Sequence, residues 1–416
     1  MTVRVADQTD SGAVPATGAP AHPPGPNGPV SPRLVAALVF GQLGVHASMA
    51  GFRMAAPLQA LDEGASTSSV GLVLALFAVA PVALALKAGR MADRHGFHRP
   101  MALATAMAMI GALLAVISSW VEGPAHIALL AVGALVSGAG ANFGVIAIQR
   151  TAGQAARDAV ERMRLFSWLG IAPSLANVIG PVSVGFMIDL AGFPAAYALV
   201  LAMPIATLWA MRQVPRRDAA AAPAVAASQA SVWSLLKVPG MKRLLFVNWL
   251  LAICWDVHSF AVPVVGHGLG FSASVIGLIL GTFTLSVSLV RLLIPVLAHR
   301  LREVGVIVGC MLGTMLIFAA YPLASSPWVM GSLSALLGIT LGSVQPMVMS
   351  QLHLLTPEGR HGESLAFRSM AINFSSAVMP LIFGVAGVAV GAASLFWAVG
   401  ASVGAGALVA RRLRPR

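Results

Sequence analysis

Runs of apolar residues long enough to cross a bilayer recur twelve times along this chain, at about 34–57, 70–88, 100–119, 126–149, 165–188, 194–211, 242–265, 275–298, 304–324, 328–352, 364–389 and 392–410. A span takes about 20 apolar residues, and in hydrocarbon a single segment satisfies its own backbone only as a helix. The expectation is an all-α polytopic membrane protein with twelve transmembrane helices, with the lipid bilayer as its surroundings. Composition agrees: of 416 residues, 58% are hydrophobic and 10% charged, against roughly 45–50% and 25% in soluble domains. The formal net charge of +12 would suggest nucleic acid in a soluble chain. Here it sits in short loops between apolar runs, with no basic stripe interleaved with aromatics, so no nucleic-acid partner is expected. Cys254 and Cys310 both lie inside apolar runs, which excludes a disulfide framework and a cysteine metal site. No cofactor or metal is expected.

Residues 1–32 are polar and carry seven prolines, too little apolar surface to offset the entropy of ordering, so they read as a disordered tail. No apolar h-region marks them as a signal peptide. Every Lys and Arg except Arg53 falls on one side of the membrane if the N-terminus is cytoplasmic, with clusters at Arg90/Arg94/Arg99, Arg150/Arg157/Arg162/Arg164, Arg212/Arg216/Arg217 and Arg411–Arg416. The opposite loops hold Asp62, Glu63, Glu122 and Asp189. By the positive-inside rule both termini face the cytoplasm, in a plasma membrane of the bacterial inner-membrane kind.

The chain also repeats. At an offset of 206, Pro57 falls on Pro263, Gly64 on Gly270, Ser66 on Ser272, Gly71 on Gly277 and Phe77 on Phe283; at an offset of 199, Pro181 falls on Pro380 and Gly185 on Gly384. The polar stretch 212–240 separates six spans from six spans. The expected division is a tail 1–32, a first half 33–211, a linker 212–240 and a second half 241–416.

After the second span the chain reads Gly89-Arg90-Met91-Ala92-Asp93-Arg94-His95-Gly96-Phe97-His98-Arg99-Pro100. Gly89 would let two helices approach closely, Asp93 would cap a turn or pair with a neighbouring cation, and Gly96 would permit a tight reversal. The stretch resembles the signature loop of the major facilitator superfamily, Gly-x-Leu-Ala-Asp-Arg-x-Gly-Arg-Lys/Arg, with Met91 in place of Leu and Phe97 where a basic residue is common. The resemblance covers about residues 33–412. It implies two pseudo-symmetric six-helix halves with a substrate path between them, a build shared by many secondary transporters. It also implies that Asp93 belongs to a charge network, with Arg94 in the same loop, that latches the halves in the outward-facing state; Arg150, Arg164 and Arg368 are the candidate partners. In the second half His299 stands where Asp93 would be. Gly180-Pro181-Val182-Ser183-Val184-Gly185 resembles the family's Gly-Pro-x-x-Gly-Gly antiporter motif, with Val184 replacing one glycine, and so implies proton-coupled export.

Ionisable groups at membrane depth are functional candidates because burying them is costly. Gln42, His46 and Arg53 share one face of the first span. Asp256 and His258 lie in the seventh span, two residues apart, so one of them is expected to face the cavity. Arg53 and Asp256 are expected to approach each other at similar depth, Asp256 as the proton-coupling acid and Arg53 as its charge partner. Asn142, Asn177, Gln345 and Asn373 are candidates for bonds to substrate or between helices. Arg291 is expected to snorkel to the cytoplasmic face.

The sequence therefore reads as a monomeric, proton-coupled secondary transporter exporting a small organic compound, with uptake of an organic anion held by Arg53 as the alternative. No metal-ligand pattern, Gly-x-Ser-x-Gly elbow or Gly-x-x-x-x-Gly-Lys loop supports an enzyme, and no soluble output domain supports a sensor.

Overall fold

The computed structural model describes residues 30–156, 159–216, 232–297, 302–357 and 360–413. The tail 1–32 up to residue 29, most of the linker 212–240, Arg157, Arg217 and His299 lie outside the described residues. Twelve α-helices follow one another: α1 (Pro32–Asp62), α2 (Thr67–His95), α3 (His98–Ser118), α4 (Pro124–Ala155), α5 (Ala159–Ala202), α6 (Ile205–Met211), α7 (Met241–Gly268), α8 (Ala273–Leu297), α9 (Glu303–Ala320), α10 (Pro327–Leu355), α11 (His361–Val390) and α12 (Ala392–Ala410). Eleven helical segments are long and apolar enough to cross a membrane. One of them, Trp168–Met211, has 44 residues, about 66 Å if straight and twice the thickness of a bilayer core. It is not straight. Gly192 sits at φ 78° and ψ 179°, a conformation open to glycine and strained for other residues, and there the chain turns from the fifth span into the sixth.

The repeat is visible in the backbone. Gly64 after α1 and Gly270 after α7, repeat mates, take φ of 78° and 73°. The mates Ser66 and Ser272 then accept hydrogen bonds from Ser69 N and Val275 N at the starts of α2 and α8. The aromatic cores match as well. Phe52 meets Phe77 edge-on at 5.1 Å and Tyr197 at 5.7 Å; in the second half their mates His258 and Phe283 lie 4.4 Å apart, and Phe396, the mate of Tyr197, stacks on Tyr321 at 4.3 Å.

Lipid offers helices no hydrophobic reason to associate, so close van der Waals packing at small residues does that work. The halves touch along α2–α11 and α5–α8, and both contacts use the same repeat residues. A Cβ on Gly71 would stand 2.3 Å from Pro380 O, and one on Gly277 would stand 2.4 Å from Pro181 O. One on Gly185 would meet Ala273 O at 2.5 Å, and one on Gly384 would meet Thr67 O at 2.8 Å. Hydrogen bonds join the halves at this same end: Thr67 Oγ1 donates to Gly384 O at 3.0 Å, and Asp189 accepts from Ala273 N at 3.0 Å and Ser274 N at 2.9 Å. This is the end remote from the Arg90/Arg94/Arg99 loop, which marks the basic end. On the basic side of the closure lies a cavity of about 300 Å³, walled by the second half and bordered from the first half by Arg53.

Gly71→Val or Gly277→Val should therefore hold the halves apart at the closed end. With Cys254 and Cys310 replaced by serine and Ala252→Cys as a reporter in the cavity, a membrane-impermeant thiol reagent supplied from the closed end should label at least about 5-fold faster in either variant. Unchanged labelling would show that the closure does not depend on these contacts.

Candidate functional site: the central cavity

Two polar layers cross the cavity, set by the rise of α7 and α11. In the layer near the closure, Asp256 on α7 is 3% exposed and accepts from Ser375 Oγ and Ser376 Oγ of α11, each at 3.0 Å. Arg53 of α1 borders the cavity with Asp256, and its Nε is buried without a hydrogen-bond partner. Eight residues toward the basic end on each helix, about 12 Å, a second layer forms. There Arg368 Nε donates to Asn248 Oδ1 at 3.0 Å, and Arg291 of α8 joins them at the cavity wall. Gln345 of α10 and Trp255 of α7 also line the cavity, with apolar side chains of α7, α10 and α11 between them.

Arg53 and Asp256 thus share the cavity, yet they make no ion pair within 4 Å. The pairs Arg150–Asp93 and His126–Glu63 form elsewhere in the structure, and neither borders this cavity. Asp256 is held by hydroxyls instead, and the Arg53 guanidinium is left with unused donors.

His258 points away from the cavity. Its Nε2 lies 2.9 Å from Ser334 Oγ and 3.1 Å from Tyr321 OH, inside the second half's own core. It stands where the repeat puts Phe52, a core aromatic, and that equivalence was readable in the sequence. Gln42 and His46 lie on the Arg53 face of α1 but do not border the cavity; Gln42 Oε1 and His46 Nδ1 are buried without partners. Asn142 Nδ2 donates to Pro81 O at 3.5 Å, tying α4 to α2, and Asn177 Nδ2 donates to Pro173 O of its own helix at 2.8 Å. Asn373 is exposed on α11, outside the cavity lining.

In the signature loop, Arg150 Nε donates to Asp93 Oδ1 at 2.8 Å, and a second guanidinium nitrogen reaches Asp93 O at 3.2 Å. Both residues belong to the first half, so this pair does not itself bridge the halves. Arg368, a candidate partner of Asp93, sits in the cavity instead; the Arg164 side chain lies outside the described residues. Arg94 is exposed. Gly96 takes φ 65° and ends α2 as expected. Gly89 does not serve a close helix approach, because a Cβ there would meet nothing within 4 Å. Phe97, the departure from the family pattern, is buried against Leu34 and Met101. Gly180, Pro181 and Gly185 pack α5 against α1 and α8, with a Cβ on Gly180 falling 2.6 Å from Ala47 O.

Sequence reasoning missed Asn248, Ser375 and Ser376, and placed Arg291 at the membrane face. The available signal was depth: Asn248 and Arg368 each lie seven residues inside the first residue of their helices.

The sequence profile of the Major Facilitator Superfamily matches residues 38–255 and 244–416. Among solved structures, the fold is similar to a D-xylose-proton symporter (TM-score 0.71, 14% identity, 92% of this chain and 97% of that one). It is similar also to a POT family transporter in complex with a thioalcohol-conjugated peptide (0.70, 11%, 92% and 96%) and to the nucleoside transporter NupG (0.68, 14%, 92% and 99%). No curated protein sequence matches the chain.

The Asp93–Arg150 pair is exposed on the Asp93 side, and such pairs contribute at most about 1 kcal/mol to stability. Asp93→Asn should leave membrane insertion and Tm nearly unchanged while lowering transport about 10-fold, as the latch role that the signature-loop resemblance implies for Asp93 requires. Equal rates at matched expression would remove Asp93 from the transport cycle.

Proposed function

The chain belongs to the major facilitator superfamily and is a transporter rather than an enzyme; on that premise we propose that it carries a small organic anion together with a proton. The observation behind this reading is the cavity's charge: three guanidiniums, Arg53, Arg291 and Arg368, against one carboxylate, Asp256. We place the basic end in the cytoplasm by the positive-inside rule, so the conformation described is open toward the cytoplasm and shut outside.

The sign of the coupling follows from competition for Arg53. While Asp256 is ionised, it draws on the Arg53 guanidinium and repels a bound anion. At about 6 Å and an effective dielectric of about 20, that repulsion is roughly 3 kcal/mol, about a hundredfold in affinity. Protonating Asp256 removes the repulsion and frees Arg53 for the substrate. Proton and anion then favour each other's binding and cross in the same direction, which is symport. A cationic substrate would compete with the proton at Asp256 and give antiport, but three arginines disfavour a cation here. Ser375 and Ser376 keep Asp256 hydrogen-bonded while it is away from Arg53, so the carboxylate keeps partners when the two separate.

Export is the second reading, and the Gly180–Pro181 motif supports it. In this structure those residues pack α5 against α1 and α8, and packing of that kind serves either direction. Uptake into proteoliposomes separates the readings: an inwardly directed proton gradient drives accumulation of a labelled organic anion under symport and its loss under export.

Asp256→Asn is expected to abolish accumulation driven by the proton gradient. Exchange of labelled for unlabelled substrate should persist within about 3-fold, because the neutral amide mimics the protonated acid. Gradient-driven accumulation surviving in Asp256→Asn would rule out Asp256 as the coupling acid.

A further inference from the structure

Resting on the anion reading above, we infer that the cavity carries a second anion site, formed by Arg291, Arg368 and Asn248, and that the transported molecule is an organic dianion spanning this site and Arg53. Even if Arg53 and Asp256 are counted as neutralising each other, two guanidiniums remain on the same cavity wall. Among the described residues no carboxylate lies within ion-pair distance of either. Arginine stays charged under all ordinary conditions, and buried charge without a counter-charge is costly. Two like charges facing one cavity are therefore a built demand for negative charge.

The hydrogen-bond inventory says the same. Arg368 is 8% exposed and spends only Nε, on Asn248. That bond fixes the Asn248 amide with its nitrogen free, and Asn248 Nδ2 is buried with no acceptor although the residue is only 5% exposed. Buried donors of this kind are normally completed by a protein group, an ordered water or a ligand, and here no protein group does so. The remaining guanidinium nitrogens of Arg368, those of Arg291 and Asn248 Nδ2 offer a fork of donors suited to the two oxygens of a carboxylate. All of them line the cavity that Arg53 borders.

The spacing sets the ligand's length. The layers are eight residues apart on both α7 and α11, about 12 Å of helix rise, and the arginine side chains reach inward from each. Linear dicarboxylates of about four to eight carbons in all fit between them, inside a cavity of about 300 Å³. A monocarboxylate fills one layer and leaves the other without an anion.

The test is titration calorimetry on the purified full chain in chloride-free buffer, with linear dicarboxylates from succinate to suberate and monocarboxylates of equal length. At least one dicarboxylate should bind about 20-fold or more tighter than its matched monocarboxylate. Arg291→Gln and, separately, Arg368→Gln should cut that preference to about 3-fold or less, with an unchanged Tm and a monodisperse gel-filtration profile showing that the variants are folded. Arg291→Lys should keep part of the preference. Monocarboxylate binding with no preference for the dianion, or a preference intact in both glutamine variants, overturns the second site while the anion reading stands. Failure of both classes to bind overturns the second site and the anion reading together.

Discussion

A charged group in hydrocarbon is expensive, and that single penalty orders most of this structure. It keeps the apolar runs free of charge and gathers nearly all the lysines and arginines at one end. The few charges that remain at depth are drawn into the one place where they can meet water, a substrate or each other. Arg53, Asp256, Arg291 and Arg368 come from four different helices and converge on one cavity. The same penalty explains the helices themselves: with no water to satisfy the backbone, each span closes its own hydrogen bonds.

Once helices are apolar all round, amphipathicity no longer tells them where to pack. Shape decides instead. The contact of Gly71 with Pro380 and its twin, Gly277 with Pro181, bring helix backbones from opposite halves together. A proline carbonyl faces a glycine in both cases. Because the two contacts are related by the internal repeat, the closure is balanced about the pseudo-symmetry axis, and neither half has to deform to make it.

Much of this was legible in the sequence. Apolar run length gave the spans, and the 206 and 199 offsets gave the halves. The resemblance around Gly89–Pro100 gave the family. Depth arguments brought Arg53 and Asp256 to one cavity. What stayed hidden depends on which way a side chain turns within an apolar helix. Arg291 read as snorkelling because a cavity-facing arginine and a headgroup-facing one sit at the same distance from a helix end. Arg368 was sought near Asp93 because charge suggested a partner, and Asn248, the partner it takes, is neutral. Gly89 looked like a packing site because glycine in a span usually is one; here it faces open space. His258 is the exception that the repeat itself resolves, since its mate Phe52 is part of a core.

The first amides of α8 are satisfied by Asp189, which belongs to the other half. The matching helix α2 begins under its own Ser66. A helix start stripped of a carboxylate or hydroxyl cap loses about 0.5–2 kcal/mol, and parting the halves at this end takes Asp189 from α8, leaving it the Ser272 hydroxyl alone. Its mate α2 keeps the Ser66 cap. On this contact alone the arrangement joined at this end is favoured by roughly 2- to 30-fold over the parted one. Empty carriers would accumulate in that posture, and the return stroke would be the one that has to climb.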